Sequence, residues 1–170
     1  MAMHLVPDDI AALADRVVRE NAALGRKVAL AESCTGGLVA GAITEIAGSS
    51  AVLDRGFVTY SNEAKMEMLG VASDIIETFG AVSIACAWSM AKGALDRSKA
   101  DVAVAISGVA GPGGGTALKP VGTVVFARVV RNAAGEPEGE LKMFEGGDAP
   151  DGRAIIRHQA TLCALELLLP

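Results

Sequence analysis

Hydrophobic and polar residues alternate along the chain in stretches that predict helices separated by short strands. Apolar positions at helical spacing predict a helix from Pro7 to about Leu24, and the apolar run that follows predicts a buried strand. The same patterns predict further helices over about 35–46, 61–69, 83–99 and 151–168, and strands over 27–31, 56–60, 101–107, 123–130 and 140–145.

Two segments between these elements carry few hydrophobic residues. Residues 108–122 hold too much glycine and proline for regular structure and predict a loop, whereas 131–139 predicts the polar tip of a hairpin. Strands interleaved with helices and ending in a hairpin indicate an α/β protein, a three-layer α/β/α sandwich with a mixed, mainly parallel sheet. A chain of 170 residues is the size of one domain, so we expect a single domain over 1–170.

Composition excludes several classes of protein. The net charge of −5 comes without any block of basic residues, so nucleic acid is not an expected partner. No apolar run reaches the roughly 18 residues that a membrane helix needs. The start MAMHLVPDDI lacks the features of a signal peptide, and Cys34, Cys86 and Cys163 form no CxxC pair. We therefore expect a cytoplasmic protein with reduced thiols and no metal site.

Polar clusters follow three of the predicted strands. They are ESCTGG after the first strand, TYSNEAK after the second and SGVAGPGGGT after the third. Ligands of open α/β sheets gather at the carboxyl ends of the strands. Because three such ends converge on one rim, the sequence predicts a functional site there.

Ser33 is the first candidate nucleophile at this rim. It lies at a strand-to-helix turn beside free backbone N–H groups, which can hold an oxyanion or a substrate anion. Ser33 also has the alternative role of a helix cap, but Thr35 is an equally good cap and leaves Ser33 free. Cys34 is the competing nucleophile, although a buried thiol is its commoner fate. Glu32 is expected to orient its neighbours rather than attack.

A serine nucleophile needs a base, and neither histidine is well placed for that role. His4 lies in the terminal segment and His158 in the middle of the last helix. Lys65 follows the second strand and can point back toward Ser33, where burial would lower its pKa and make it a base. Tyr60, the only tyrosine, ends that strand and could bridge the pair. The alternative for Lys65 is a solvated helix lysine.

Two further groups offer anion binding. The glycine-rich loop supplies hydroxyls and bare backbone amides that form an anion nest, although a flexible surface loop is the alternative. Its candidate residues are Ser107, Gly108, Gly111, Gly114 and Thr116. Arg153 and Arg157 lie one helical turn apart and could clamp a phosphate or carboxylate, although such pairs are more often solvated.

Several long motifs resemble those of one known family. AESCTGG, GSSAVLDRGFVTYSNEAK, GAVS and AISGVAGPGGGTALKPVGTVVFA are similar to the C-terminal domain family of the competence/damage-inducible protein CinA. The resemblance extends from about Leu5 to Leu168. Active members of that family are nicotinamide-nucleotide amidohydrolases (NMN deamidases). The resemblance therefore implies an α/β/α fold and hydrolysis of the carboxamide of nicotinamide mononucleotide (NMN), giving nicotinic acid mononucleotide and ammonia.

The resemblance also implies roles for individual residues. Ser33 would be the nucleophile of a metal-independent Ser–Lys mechanism, Lys65 its general base, and Tyr60 an assistant to the pair. Substrate binding would fall to Thr35, Gly36, Gly37, Ser107, Gly108, Gly111, Gly114, Thr116, Arg153 and Arg157. No cofactor is implied, and homo-oligomers are expected.

One other function remains open at this point, and a second is not expected. Some members of the family keep the fold without measurable activity, so a nucleotide-binding or regulatory module is the alternative to an enzyme. Larger CinA proteins carry an additional N-terminal domain associated with ADP-ribose pyrophosphatase activity. The sequence shows no counterpart of that domain, and no pyrophosphatase activity is expected.

Overall fold

The computed structural model describes residues 3–170. The N-terminal segment MAMHLVPDDI, which is predicted not to be a signal peptide, begins with Met1 and Ala2. These two residues lie outside the described residues. Between residues 3 and 170, no helix combines the length and the apolar character that crossing a membrane requires.

Every predicted helix and strand is present, with shifts of a few residues at several ends. The helices are α1 (Asp8–Ala23), α2 (Leu38–Thr44), α3 (Asn62–Leu69), α4 (Ser73–Phe79), α5 (Ile84–Asp96) and α6 (Gly152–Leu167). The strands are β1 (Val28–Glu32), β2 (Leu53–Val58), β3 (Val102–Gly108), β4 (Thr123–Val130) and β5 (Glu138–Met143). Two elements had no counterpart in the sequence patterns, namely α4 and a short 3₁₀ turn at Ser49–Ala51.

The five strands form one mixed sheet in the order β2-β1-β3-β4-β5. Strand β1 pairs in parallel with β2 and β3, whereas β4 is antiparallel to both of its neighbours. Four strands therefore run in one direction and only β4 runs in the other, which confirms the mixed, mainly parallel sheet. The carboxyl ends of β1, β2 and β3 lie side by side, so the three polar clusters that follow them meet at one rim, as predicted.

The two faces of the sheet differ in side-chain size. In β1, Val28 and Leu30 face the layer of α1, α2 and α6, while Ala29 and Ala31 face the layer that contains α5. Strand β3 repeats this alternation of large and small residues. Because alanine leaves room above the sheet, α5 packs close to it through its own alanines. The three-layer sandwich is thus confirmed, and the abundance of alanine has a packing reason.

Helices α3 and α5 approach each other closely at Gly93. A Cβ atom at this position would collide with the backbone carbonyl of Leu69, so only glycine fits without moving one of the helices. Leu69 lies one turn after Lys65 on α3. The contact between Gly93 and Leu69 therefore sets how near α3 can bring Lys65 to the sheet.

The beginning of α2 departs from the sequence-based expectation. The helix starts at Leu38 rather than at Thr35, because Gly36 and Gly37 adopt left-handed backbone angles, with φ of 61° and 102°. The prediction that Thr35 caps this helix is wrong, since the N-cap position is Gly37 and the Thr35 hydroxyl bonds to Glu32 instead. A four-residue turn, 33–36, thus separates the strand from Gly37 and α2.

Candidate active site

Ser33 occupies a rigid position directly after β1. Its backbone N–H donates to the carbonyl of Ile106 at 2.9 Å, which extends the pairing of β1 with β3 by one residue. Its carbonyl then accepts a hydrogen bond from the Gly36 amide at 3.0 Å, closing the turn. The Ser33 side chain is therefore fixed by the sheet on one side and by a tight turn on the other.

Glu32 holds the first turn of α2 from the end of β1. Its buried carboxylate accepts hydrogen bonds from the Thr35 hydroxyl at 2.7 Å and from the amides of Gly37, Val39 and Ala40 at 3.0 to 3.2 Å. These amides are the orphan donors of the helix N-terminus, where a negative charge is stabilised. The expected role of Glu32 in orienting its neighbours is confirmed, and the amides it binds are not available to a substrate.

Lys65 reaches the nucleophile from α3. Its side-chain nitrogen, Nζ, lies 3.0 Å from the Ser33 hydroxyl, 2.8 Å from the Thr59 carbonyl and 3.3 Å from the Tyr60 carbonyl. The side chain is 1% exposed, and no salt bridge to it is present within residues 3–170. Burial lowers its pKa from the ordinary value, with the nearby thiols of Cys86 and Cys34 opposing this effect.

The three oxygen atoms around Lys65 suit a neutral amine. A neutral amine has two N–H donors and one lone pair, whereas an ammonium has three donors and no acceptor. Two donors can satisfy the carbonyls of Thr59 and Tyr60, which leaves the lone pair for the hydrogen of the Ser33 hydroxyl. This arrangement would allow Lys65 to accept the Ser33 proton, and the burial of Lys65 excludes the solvated-lysine alternative.

Cys34 is a weak competitor for the role of nucleophile. Its thiol is buried, and burial raises its pKa to about 11, with Glu32 adding to this effect and Arg157 and Lys65 opposing it. A thiol with this pKa is almost entirely protonated near neutral pH, and the thiolate is the reactive form. Packing is therefore the role that the structure supports for Cys34.

A cavity of about 250 Å³ opens in front of Ser33 and Lys65. It is formed by residues of all three polar clusters together with the start of α6. Among the predicted site residues, it is lined by Ser33, Tyr60, Lys65, Ser107, Gly108, Gly111, Gly114 and Arg153. The cavity thus brings together the predicted catalytic residues, part of the glycine-rich loop and one of the two arginines.

Ser107 connects this cavity to the segment between α4 and α5, in which the sequence analysis predicted no site residue. Its hydroxyl donates to the carbonyl of Ala81 at 2.8 Å, which leaves its lone pairs as acceptors. Ala81 and Val82 line the cavity beside it, as does Asn62 from the first turn of α3. Lys119 binds the same segment through the Phe79 carbonyl at 2.5 Å. Among these lining residues that the sequence analysis did not single out, only Asn62 carries a polar side chain.

Tyr60 contacts Lys65 through its carbonyl rather than through its phenol. The phenol oxygen accepts a hydrogen bond from Arg153 at 3.2 Å, and Arg153 also donates to the Gly111 carbonyl at 2.7 Å. Tyr60 is 63% exposed. Arg153 therefore ties the segment after β2 to the glycine-rich loop across the mouth of the cavity, and the predicted bridge of Tyr60 between Ser33 and Lys65 is not formed by its side chain.

Five predicted substrate-binding residues do not line the cavity. They are Thr35, Gly36, Gly37, Thr116 and Arg157. Arg157 donates from Nε to the Cys34 carbonyl at 3.0 Å and from Nη2 to the Thr35 carbonyl at 3.4 Å. The guanidinium group is thus held against residues 33–36, the turn that carries Ser33 and is called the nucleophile turn below. This geometry does not support the predicted phosphate contact for Arg157.

The two histidines and the arginines of a second groove lie away from this site. His158 pairs with Asp9 at 2.8 Å and His4 with Glu45 at 3.5 Å, so neither histidine is near Ser33. A larger groove of about 510 Å³ lies at the opposite end of the sheet, where Arg128 and Arg131 bind backbone carbonyls. In the described part of the chain, no three His, Cys, Asp or Glu side chains form a group able to hold a metal ion.

The fold and the site together define an α/β/α domain with a buried lysine against a serine at the strand ends. The family model of the CinA C-terminal domain matches residues 10–170. The chain therefore belongs to the CinA C-terminal domain family, as its motifs indicated.

Similar proteins cover nearly the whole chain. Nicotinamide-nucleotide amidohydrolase PncC of Escherichia coli strain K12 is 48% identical over 164 residues, which is 96% of this chain and 95% of that protein. A CinA-like protein of Akkermansia muciniphila is also 48% identical, over 94% of this chain but 37% of its own length. The crystal structure of competence/damage inducible protein CihA from Agrobacterium tumefaciens superposes with a TM-score of 0.91 at 54% identity, covering 98% and 97% of the two chains.

Proposed function

We propose that this protein is a nicotinamide-nucleotide amidohydrolase that converts NMN and water to nicotinic acid mononucleotide and ammonia by a Ser–Lys mechanism. The observation that carries the mechanism is the 3.0 Å contact between the Ser33 hydroxyl and the buried amine of Lys65. The PncC relatives support the class of enzyme and the substrate, because they match this chain over almost its full length.

In the first half of the reaction, Ser33 Oγ attacks the carboxamide carbon of NMN. The hydroxyl proton passes to the neutral amine of Lys65, and the carbonyl oxygen gains a negative charge. Lys65 then gives this proton to the departing nitrogen, the C–N bond breaks, and ammonia leaves. The nicotinoyl group remains as an ester of Ser33.

In the second half, a water molecule attacks this ester. Lys65 accepts a proton from the water and returns it to Ser33 Oγ as the C–O bond of the ester breaks. The product carries a carboxyl group in place of the carboxamide. Both halves require a neutral Lys65, which its burial without an acidic partner favours.

Substrate binding divides between the floor and the mouth of the cavity. The lone pairs of Ser107 can accept a hydrogen bond from the carboxamide NH₂, since its own hydrogen is held by Ala81. Arg153 uses one N–H on each terminal nitrogen and keeps three donors for a phosphate. The amides of Gly113 and Gly114 face no acceptor within residues 3–170, and we assign the phosphate to them and Arg153.

Self-association is part of the same proposal. Apolar side chains are exposed on α5 and on the edge strand β5, where Ile84, Trp88, Leu141 and Met143 are 42 to 52% exposed. A second copy of the chain would cover such a surface. Light scattering after size exclusion measures the mass, and a monomer at micromolar concentration would contradict the expected homo-oligomer.

The deciding experiment is incubation with NMN in the presence of a chelator, with ammonia and nicotinic acid mononucleotide measured together. We expect equal amounts of both products. An absence of turnover from mildly acidic to mildly basic pH would contradict the proposed enzyme. Binding of NMN without turnover would favour the regulatory module instead, and loss of activity with the chelator would exclude the Ser–Lys mechanism.

A further inference from the structure

Strand β5 forms a free edge of the sheet. Among residues 3–170 it pairs with β4 alone, on one side. The amide of Phe144 donates to the Gly122 carbonyl at 2.9 Å, so the backbone groups of the even-numbered residues of β5 point toward β4. The N–H and C=O groups of Gly139, Leu141 and Met143 therefore point outward, where an edge strand can pair with another strand.

The opposite edge of the sheet, formed by β2, is less suited to such pairing. Its register with β1 shifts between Val28 and Ala29, so that Asp54 has no direct partner. An irregularity of this kind bends an edge strand and protects it from further pairing. Strand β5 keeps an unbroken register with β4 from Glu138 to Met143. Of the two edges, β5 is therefore the regular one.

The two faces of β5 differ in their chemistry. Glu140 and Lys142 lie on the side of α6, where the Glu140 carboxylate is 3.9 Å from the thiol of Cys163. Leu141 and Met143 lie on the side of α5 and are 48% and 52% exposed. The edge strand thus has one charge of each sign on one face and an exposed apolar pair on the other.

We propose that β5 pairs with β5 of a second copy of the chain about a two-fold axis beside Leu141, which joins the two sheets into one sheet of ten strands. The pairing is antiparallel, and the same surface is used by both copies. Leu141 exchanges two hydrogen bonds with the partner's Leu141, and Gly139 does so with the partner's Met143. This proposal rests on the homo-oligomer of the proposed function and does not depend on the hydrolysis of NMN.

Charge selects this register over its two neighbours. Outward-pointing residues must face one another, so the axis can also lie beside Glu140 or Lys142. Those two registers place glutamate opposite glutamate or lysine opposite lysine, and like charges directly opposite are destabilising. The axis beside Leu141 places Glu140 opposite the partner's Lys142 twice. It is also the register that pairs all three outward-pointing residues.

The apolar face offers a match of shape in the same register. A groove of about 430 Å³ lies between α5 and the start of β5, and its lining includes Ile84, Trp88 and Gly139. The partner's Met143 faces Gly139, which has no side chain, and its flexible thioether chain enters the groove beside Ile84. Because the two-fold axis repeats this contact, the exposed apolar residues of α5 and β5 cover one another.

The first test reverses the two charges separately. Glu140→Lys and Lys142→Glu each convert both cross-strand pairs into like-charge pairs, so we expect the dissociation constant of the dimer to rise at least about tenfold. Sedimentation velocity measures the change at a concentration a few times above the dissociation constant of the wild type. Glu20→Lys makes the same change of charge on α1 and should dimerise like the wild type.

Mixing the two charge variants provides the decisive measurement. In a heterodimer of Glu140→Lys with Lys142→Glu, both cross-strand pairs are again of opposite sign, and dimers should return. Within each chain the charges at positions 140 and 142 remain alike, because mixing does not change either chain. A rescue by mixing therefore reports the contact between the chains rather than a repair of the fold.

A second test locates the axis. Leu141→Cys places two thiols on one directly opposed pair, whose Cα atoms are about 5.5 Å apart, within the span of a disulfide. Met143→Cys places them four residues apart along the strand, at about 14 Å. With diamide as oxidant, Leu141→Cys should give a disulfide-linked dimer on a non-reducing gel and Met143→Cys should not. The native cysteines are buried, so the wild type should not cross-link.

The outcomes separate this proposal from the proposed enzyme, because no residue of β5 lines the cavity in front of Ser33. A wild-type monomer or trimer would overturn the β5 pairing, since the pair joins two copies. A dimer that resists both charge reversals, a mixture that stays monomeric, or cross-linking through Met143→Cys alone would also overturn it. If a charge variant fails to fold by circular dichroism, the cysteine variants decide. A cross-linked dimer without turnover of NMN would contradict the proposed enzyme and support the interface.

Discussion

The side-chain nitrogen of Lys65 and the hydroxyl oxygen of Ser33 lie 3.0 Å apart, although 32 positions separate the two residues in the chain. The parallel pairing of β1 with β2 creates this contact, because it brings the ends of both strands to the same rim. No acidic group compensates the lysine within residues 3–170, and its other two partners are backbone carbonyls. This uncompensated, buried environment favours the neutral amine that the proposed mechanism requires of Lys65.

Removing either member of this pair should abolish turnover of NMN. We expect Ser33→Ala and Lys65→Met each to lower kcat by at least about 10³-fold, since one removes the nucleophile and the other the base. Product formation measures the loss, and circular dichroism checks that the fold is kept. Cys34→Ala is the matched control and should keep most of the activity; a fully active Ser33→Ala combined with an inactive Cys34→Ala would transfer the nucleophile to the thiol.

The activity should rise with pH through the pKa of Lys65. Burial lowers this pKa from the ordinary value of 10.5, so the neutral base is formed at a lower pH than for an exposed lysine. The acid limb of kcat/KM reports that pKa in the free enzyme, and the acid limb of kcat reports it in the complex with substrate. A rate that is independent of pH over the measurable range would contradict the role of Lys65 as a base that must first lose its proton.

The same shift gives stability a defined dependence on pH. In the window between the lowered pKa and 10.5, the unfolded chain binds more protons than the folded chain, so the free energy of unfolding rises with pH. Below the window the full cost of burying the charge is present. The melting temperature of the wild type relative to Lys65→Met should therefore increase with pH across this window, and a decrease would show that the buried lysine keeps its proton.

Arg153 should determine the preference for a phosphorylated substrate. Arg153→Met removes a charge-assisted contact worth about 1.5–3 kcal/mol, which corresponds to roughly a ten- to hundredfold rise in KM for NMN. Nicotinamide riboside lacks the phosphate, so its kcat/KM should change much less. Arg153→Lys keeps the charge and should lie between the two. Equal losses on both substrates would assign Arg153 to the shape of the cavity instead.

Glu32 should stabilise the fold more than any exposed carboxylate near the site. Glu32→Gln places amide hydrogens against the N–H groups at the start of α2, and we expect a loss of about 2–3 kcal/mol in the free energy of unfolding. Glu63, in the exposed first turn of α3, provides the control, and Glu63→Gln should change stability by less than about 0.5 kcal/mol. Urea denaturation measures both; equal stability of the two variants would contradict the capping role.

Much of this arrangement could be predicted from the sequence because short-range patterns determine it. The continuous apolar runs of β1 and β3 predicted buried strands, and the polar residues after them predicted the rim. The start of α2 could not be predicted in the same way. Thr35 is a good cap by residue type, but a buried carboxylate from the preceding strand binds the helix N-terminus first.

The two arginines show a second limit of sequence patterns. Arg153 and Arg157 share one face of α6 at a spacing of four, which made them equivalent as an anion clamp. The structure separates them, because the cavity reaches only the beginning of the helix, while Arg157 lies beneath the nucleophile turn. Spacing along a helix predicts a shared face but not which surface of the protein that face meets at each turn.

The contact between Gly93 and the Leu69 carbonyl makes position 93 sensitive to substitution, although glycine has no side chain that could take part in the reaction. Any side chain at Gly93 forces α3 and α5 apart, and close-packed helices yield by moving as rigid units rather than by local compression. Lys65 would then be drawn away from Ser33 with both residues still present. In a saturation mutagenesis scan scored by turnover, substitutions at Gly93 would be as damaging as those at Ser33 and Lys65, although neither Gly93 nor Leu69 lines the cavity.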